Sequence, residues 1–170
     1  MPKTELVKHR DCSADETGRK HIEESMASYG DLALVNLINK KGKEGRLGDQ
    51  FTAFVDELGS SRVRYEWFDF HKECAKMQWQ NLSKLVEALQ DKLDAYGFFQ
   101  AQIDSSALQL SRVSKDSIKI LSQQTGAVRT NCMDCLDRTN VVQSVLARQI
   151  LHSYLSALKM VPPQGANPFE

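Results

Sequence analysis

Residues 31–39 read DLALVNLIN, in which Leu32, Ala33, Leu34, Val35, Leu37 and Ile38 form a nearly continuous apolar run of strand length. A run without polar alternation suits a strand buried on both faces. Such a strand needs cover on either side, which points to an α/β fold, a central sheet flanked by helices.

The neighbouring segments fit that reading. Before it, ETGRKHIEESMASYG (16–30) predicts a polar helix stopped at Gly30. After it, KKGKEGRLG (40–48) reads as a flexible basic loop, with two internal glycines and four positive charges against one negative. Leu47, Phe51, Phe54, Val55 and Leu58 recur at helical spacing and Gly59 closes that helix. RVRYEWFDF (62–70) predicts a second strand, and a long helix follows from about His71, its stripe formed by Leu82, Leu85, Val86, Leu89, Leu93 and Tyr96. Residues 98–103, 117–121 and 126–131 are short strand candidates, and 104–116 is a serine-rich connection of no readable shape. Val142, Val145, Leu146, Ile150, Leu155 and Leu158 mark a helix over 139–158. The expected organisation is a polar leader over 1–16, one folded unit over 17–160, and an irregular tail over 161–170 that holds three prolines. Trp67 and Trp79 are expected in the core.

The chain has 170 residues, of which 41% are apolar and 26% charged, the make-up of one ordinary soluble domain. At that length folding buries roughly 70% of the extended surface, so a core forms without staples. With 22 Lys and Arg against 22 Asp and Glu the net charge is zero. A bulk polycation for nucleic acid is excluded, and any anion site must be local. No stretch has the ~20 consecutive apolar residues of a membrane span, and residues 1–20 lack a hydrophobic signal core. Cys12, Cys74, Cys132 and Cys135 are too few for a disulfide scaffold and fit a reducing compartment.

The chemistry concentrates in AVRTNCMDCLDRTNVVQSVLARQIL (127–151), a strand-like entry, a polar turn and an amphipathic helix. Cys132 and Arg138 stand as Cys-x5-Arg followed by Thr139. Five intervening residues can wrap an anion in backbone N–H groups, and the helix behind adds its positive end. Met133, Cys135, Leu136, Asp137 and Thr139 are the candidate phosphate-binding positions, and Arg138 would complete the cradle with a planar fork to two phosphoryl oxygens. The same donors favour thiolate at Cys132, which is thus placed to attack phosphorus. Two carboxylates stand in the loop. Negative charge beside phosphate is unfavourable unless a carboxyl delivers a proton to the leaving oxygen or points away. Asp134 is the first candidate for that acid and Asp137 for an orienting or capping residue, and the two could be exchanged. Thr139 could hydrogen-bond the thiolate and assist release of the phosphocysteine.

The longer string RTNCMDCLDRTN (129–140) closely resembles the signature of the Sac phosphoinositide phosphatases. VNLINKKG (35–42) and FDFHKEC (68–74) resemble that family in the same order, so the similarity runs from about residue 16 to 158. The combination looks most like the subgroup acting on phosphatidylinositol 4-phosphate at the cytoplasmic face of the endoplasmic reticulum and Golgi. The resemblance implies Cys132 as nucleophile, Arg138 as phosphate ligand, Asp134 as acid, and a two-step hydrolysis through phosphocysteine that needs no cofactor or metal. It implies a phosphoinositide headgroup at a membrane surface as the partner. It also implies that the chain is a partial piece, since family members carry sequence before and after this segment and, in that subgroup, a membrane anchor.

Other readings compete. A catalytically incomplete fragment would bind phosphate or a partner without turnover. Cys132-x2-Cys135 with His71-x2-Cys74 has the spacing of a zinc module, though zinc explains neither Arg138 nor Thr139. A thioredoxin-like pair and an inert structural loop are the remaining alternatives. Asp69 and His71 stand at a strand-to-helix junction, either behind the phosphate loop or, for Asp69, as a helix cap. Lys40, Lys41, Lys43 and Arg46 could meet anionic headgroups or simply be solvated.

Overall fold

The computed structural model describes residues 12–103 and 117–160. The elements run α1 (Cys12–Tyr29), β1 (Asp31–Asn36), α2 (Gly42–Leu58), β2 (Val63–Trp67), α3 (Phe70–Glu73), α4 (Leu82–Tyr96), β3 (Gln100–Ile103), β4 (Ile118–Ser122), β5 (Gly126–Asn131) and α5 (Asp137–Ala157). Residues 1–11 of the expected leader over 1–16, the serine-rich connection over 104–116 and the proline-containing tail over 161–170 lie outside the described residues.

The apolar run at 31–39 forms the middle of a three-stranded parallel sheet ordered β2-β1-β5. Five of the six β1 residues are buried. Its alternate side chains serve two cores. Leu32 and Leu34 join Ile22 of α1 and Val55 of α2 on one face. Ala33 and Val35 join Leu85, Leu89 and Leu93 of α4 and Val142 and Leu146 of α5 on the other. Both faces of a parallel sheet are thereby covered, and hence its central strand reads as unbroken hydrophobicity. β3 and β4 lie apart from this sheet as an antiparallel pair.

Four expectations are corrected. The first helix begins at Cys12, ahead of residue 16. The flexible basic loop is mostly helix, because α2 starts at Gly42. Gly45 and Gly48 serve close approach in place of mobility. A Cβ at Gly45 would sit 2.8 Å from the Lys40 carbonyl oxygen, and one at Gly48 would sit 2.1 Å from the Trp67 ring. The long helix from His71 is interrupted: α3 ends at Glu73, two 3₁₀ turns follow at Ala75–Met77 and Trp79–Asn81, and only then does α4 begin. Lys76 and Met77 hold φ of 54° and 60°, which no α-helix tolerates. Trp79 is exposed, whereas Trp67 packs partly buried against the core and donates its Nε1–H to the Ile38 carbonyl at 2.9 Å.

Parallel pairing brings the carboxyl ends of three strands level, with Asn36 opposite both Trp67 and Asn131. Asn36 is wholly buried at that level. Its Nδ2 donates to the Tyr65 hydroxyl at 3.1 Å, and its Oδ1 accepts from Asn131 Nδ2 at 2.9 Å. Leaving the Asn36 amide unpaired at this depth would be costly, so the bridge favours the register of the edge where the chain leaves the sheet.

Candidate functional site

The segments leaving β1, β2 and β5 converge at that carboxyl edge, the usual location of ligand crevices in open α/β sheets. β5 ends at Asn131, Cys132 follows at once, and α5 begins at Asp137. The expected strand, loop and helix are thus in place, with the helix starting two residues before the expected Thr139.

Cys132 is buried, and several groups converge on its sulfur. The Cys135 N–H donates to Sγ at 3.1 Å and the Thr139 hydroxyl donates to it at 3.4 Å. Cys135 has φ of 54°, a left-handed conformation costly for a side-chain-bearing residue. The turn it makes returns its amide to the sulfur. Thr139 is buried in the first turn of α5, so its donor is held by packing. Both donors thus meet the sulfur beside the N-terminus of α5.

The Cys132 thiol donates in turn to Asp134 Oδ1 at 3.4 Å, and the same oxygen accepts the Leu136 N–H at 3.1 Å. Those two hydrogen bonds, Leu136 first, hold the Asp134 carboxyl below its ordinary range. Leu136, expected to offer its amide to phosphate, offers it here to Asp134. Asp137 is exposed at the start of α5, where a carboxylate complements the helix dipole. Met133 leans against the core, and the exposed Cys135 thiol donates to the Cys132 carbonyl at 3.6 Å.

Arg138 is turned toward α2. Its Nη1 donates to Glu44 Oε2 at 2.9 Å, its Nη2 to Glu44 Oε1 at 3.3 Å, and Nη1 also donates to the Leu37 carbonyl at 3.4 Å. Glu44 Oε2 receives the Asn39 N–H at 2.8 Å as well. The guanidinium hydrogen bond is the foremost cause that lowers the Glu44 carboxyl from its ordinary value, with burial opposing it. The pair is reciprocal, and Glu44 raises Arg138 further. Sequence reasoning missed Glu44. Its one signal was that it is the lone acid in a run with four cations.

Asp69 behaves as a cap. Its Oδ1 accepts the Lys72 N–H at 3.1 Å at the start of α3, and its Oδ2 accepts the Lys40 N–H at 2.9 Å, tying the segment after β1 to that after β2. His71 is exposed, stands edge-on to Phe70, and its charge acts on Glu44. The four residues of the zinc reading are not gathered. Cys74 is buried in the core, where burial pushes its thiol up, and among the described residues no three His, Cys, Asp or Glu side chains group in a manner that would hold a metal ion. No helix among the described residues is long and apolar enough to cross a membrane.

Residues 1–75 match the family model described as the SacI homology domain. The chain is 41% identical over 140 residues to phosphatidylinositol-3-phosphatase SAC1-A of Danio rerio, covering 82% of this chain and 22% of that protein. It is 44% identical over 138 residues to phosphatidylinositol-3-phosphatase SAC1 of Drosophila melanogaster, covering 81% and 21%. The corresponding protein of Saccharomyces cerevisiae is 41% identical over 144 residues, covering 84% and 22%. The chain spans about a fifth of the length of these curated relatives.

Proposed function

The chain belongs to the SacI homology domain family, and from that premise we propose that it carries the phosphate-transfer loop of a phosphoinositide phosphatase acting on an inositol-ring phosphomonoester. The observation that carries this reading is the convergence of the Cys135 amide and the Thr139 hydroxyl on the buried sulfur of Cys132.

In this mechanism the Cys132 thiolate attacks phosphorus while the loop amides and Arg138 hold the equatorial oxygens. The bond from phosphorus to the inositol oxygen breaks, and Asp134 delivers a proton to the departing oxygen. Water then attacks the phosphocysteine, Asp134 takes the proton, the phosphorus–sulfur bond breaks and inorganic phosphate leaves. Thr139 stabilises the sulfur as it departs. Asp134 is poorly suited to hold a proton while Leu136 and Cys132 donate to it. Arriving phosphate recruits the Leu136 amide and brings negative charge, and the thiol passes its proton to the Asp134 oxygen it already faces. All three changes raise the carboxyl's proton affinity when an acid is needed.

Phosphatidylinositol 4-phosphate is the preferred substrate in this reading, on the resemblance of segments 35–42, 68–74 and 129–140, and the longer protein would work at endoplasmic reticulum and Golgi membranes. The matched relatives are named for the 3-phosphate ester. The test is therefore phosphate release from short-chain 4-phosphate and 3-phosphate lipids in EDTA, wild type beside Cys132→Ser. Release that resists chelation and vanishes in the variant supports the mechanism, and unchanged release overturns it. A folded chain that binds phosphate without releasing it from either ester is a binding fragment.

A further inference from the structure

Arg138 has five N–H donors in one plane. Glu44 takes one from Nη1 and one from Nη2 across the end of the guanidinium, and the Leu37 carbonyl takes the other from Nη1. Among the described residues the Nε–H and the second Nη2 hydrogen have no partner. These two point in the same direction along the side edge of the fork, the spacing at which a guanidinium binds two oxygens of one phosphate. Glu44 is itself held. It stands in the first turn of α2, and its Oε2 accepts the Asn39 N–H at 2.8 Å. Gly48, one turn further along α2, lets that helix lie directly against Trp67, so the helix carrying the carboxylate is set against β2. Both side chains of the pair are largely buried, with 18% and 21% of their surface exposed, which keeps water from competing for the contact.

We infer that Glu44 is the positioning residue of the phosphate-binding arginine: it fills the end of the guanidinium and fixes the side edge toward the Cys132 loop. The inference rests on the phosphatase reading and extends it to a residue outside the signature. An arginine with four or more free donors and a flexible stem would sample many orientations, and misplacement on the ångström scale costs on the order of 100-fold in rate. The opposite role, a carboxylate that merely blocks the arginine until phosphate displaces it, predicts the opposite response to truncation.

The experiment is a binding and activity cycle on the full chain, using orthovanadate as a phosphate-shaped probe and phosphate release from the short-chain 4-phosphate lipid. Glu44→Ala is expected to weaken orthovanadate about 10-fold or more and to lower kcat more than it raises KM. Glu44→Gln keeps one acceptor for Nη1 and for the Asn39 amide, and should fall between wild type and Glu44→Ala. In an Arg138→Ala background, Glu44→Ala should have no further effect on either readout. Unchanged or tighter orthovanadate binding by Glu44→Ala, or an equal loss in the Arg138→Ala background, overturns the inference. Should Glu44→Ala lose its cooperative thermal transition, Glu44→Gln carries the same comparison, with a 3- to 10-fold loss expected for one missing acceptor. A wild-type chain that binds orthovanadate but releases no phosphate overturns the phosphatase reading and leaves the binding cycle to decide this one. A wild-type chain that does not bind orthovanadate overturns both.

Discussion

The hydroxyl of Thr139, buried in the first turn of α5, donates to the sulfur of Cys132, buried at the end of β5, at 3.4 Å. Helix and strand are thus joined through the two atoms that the proposed mechanism places at the phosphorus–sulfur bond. A hydrogen bond to a charged group is worth roughly 1.5–3 kcal/mol, or about 10- to 100-fold in rate if it forms only when sulfur leaves.

Thr139→Val should therefore slow the second step more than the first. The expected outcome in rapid-quench kinetics is a burst of released inositol lipid followed by a steady rate about 10- to 100-fold below wild type, with phosphocysteine accumulating at Cys132. Equal slowing of burst and steady phases would assign Thr139 to folding of the loop alone.

The Glu44–Arg138 pair sets a stability dependence on acid. The Glu44 carboxyl titrates below its unperturbed value of 4.5, first because Arg138 donates to it, then through the Asn39 amide and the charges of Arg138 and His71, with burial opposing. A depressed folded value means that the contribution is fully present above about pH 4.5 and is lost as pH falls through the folded value. Glu44→Gln should lower Tm by a few degrees at pH 7, corresponding to about 1–2 kcal/mol. The two melting curves should converge as pH is lowered below 4.5. A difference that persists undiminished at pH 3 would locate the effect elsewhere.

Gly48 tests whether the start of α2 is packed. Alanine in an exposed helical position would stabilise by about 1 kcal/mol relative to glycine. At Gly48 the added carbon would meet the Trp67 ring at 2.1 Å, an overlap that moves either the indole or the helix. The clash wins, so Gly48→Ala should destabilise by about 1–3 kcal/mol in denaturant titration. It should also weaken orthovanadate, since Glu44 rides on the same helix.

The contrast between β1 and α2 explains what the sequence made legible. The run at 31–39 announced a doubly covered strand because burial on both faces leaves no other composition available, and Cys132 and Thr139 could be read as neighbours because one short turn between a strand and a helix separates them. Asn36 stood in the same run as the one polar side chain between Leu32 and Ile38, yet its partners Tyr65 and Asn131 are 29 and 95 residues away, so their bridge was invisible to local patterns. Gly45 and Gly48 looked like flexibility because a sequence does not display the carbonyl and the indole lying against them. The pairing of Glu44 with Arg138 spans 94 residues and follows from topology alone.

The identity of the acid follows from chemistry at the leaving group. An inositol alkoxide departs badly without a proton, whereas a nitrophenolate departs well without one, so removal of the acid should be felt only with the former. Asp134→Asn keeps an oxygen that can still accept the Leu136 amide, and it removes the carboxylate whose resting hydrogen bonds hold it ionised. It should reduce kcat on the phosphoinositide about 100- to 1000-fold while lowering the rate on p-nitrophenyl phosphate less than about 10-fold. Asp137→Asn, at the exposed start of α5, should change both substrates by the same small factor. If the leaving-group dependence instead appears in Asp137→Asn, the roles of the two carboxylates are exchanged, and the bond from Leu136 to Asp134 is then a structural turn contact that phosphate leaves intact.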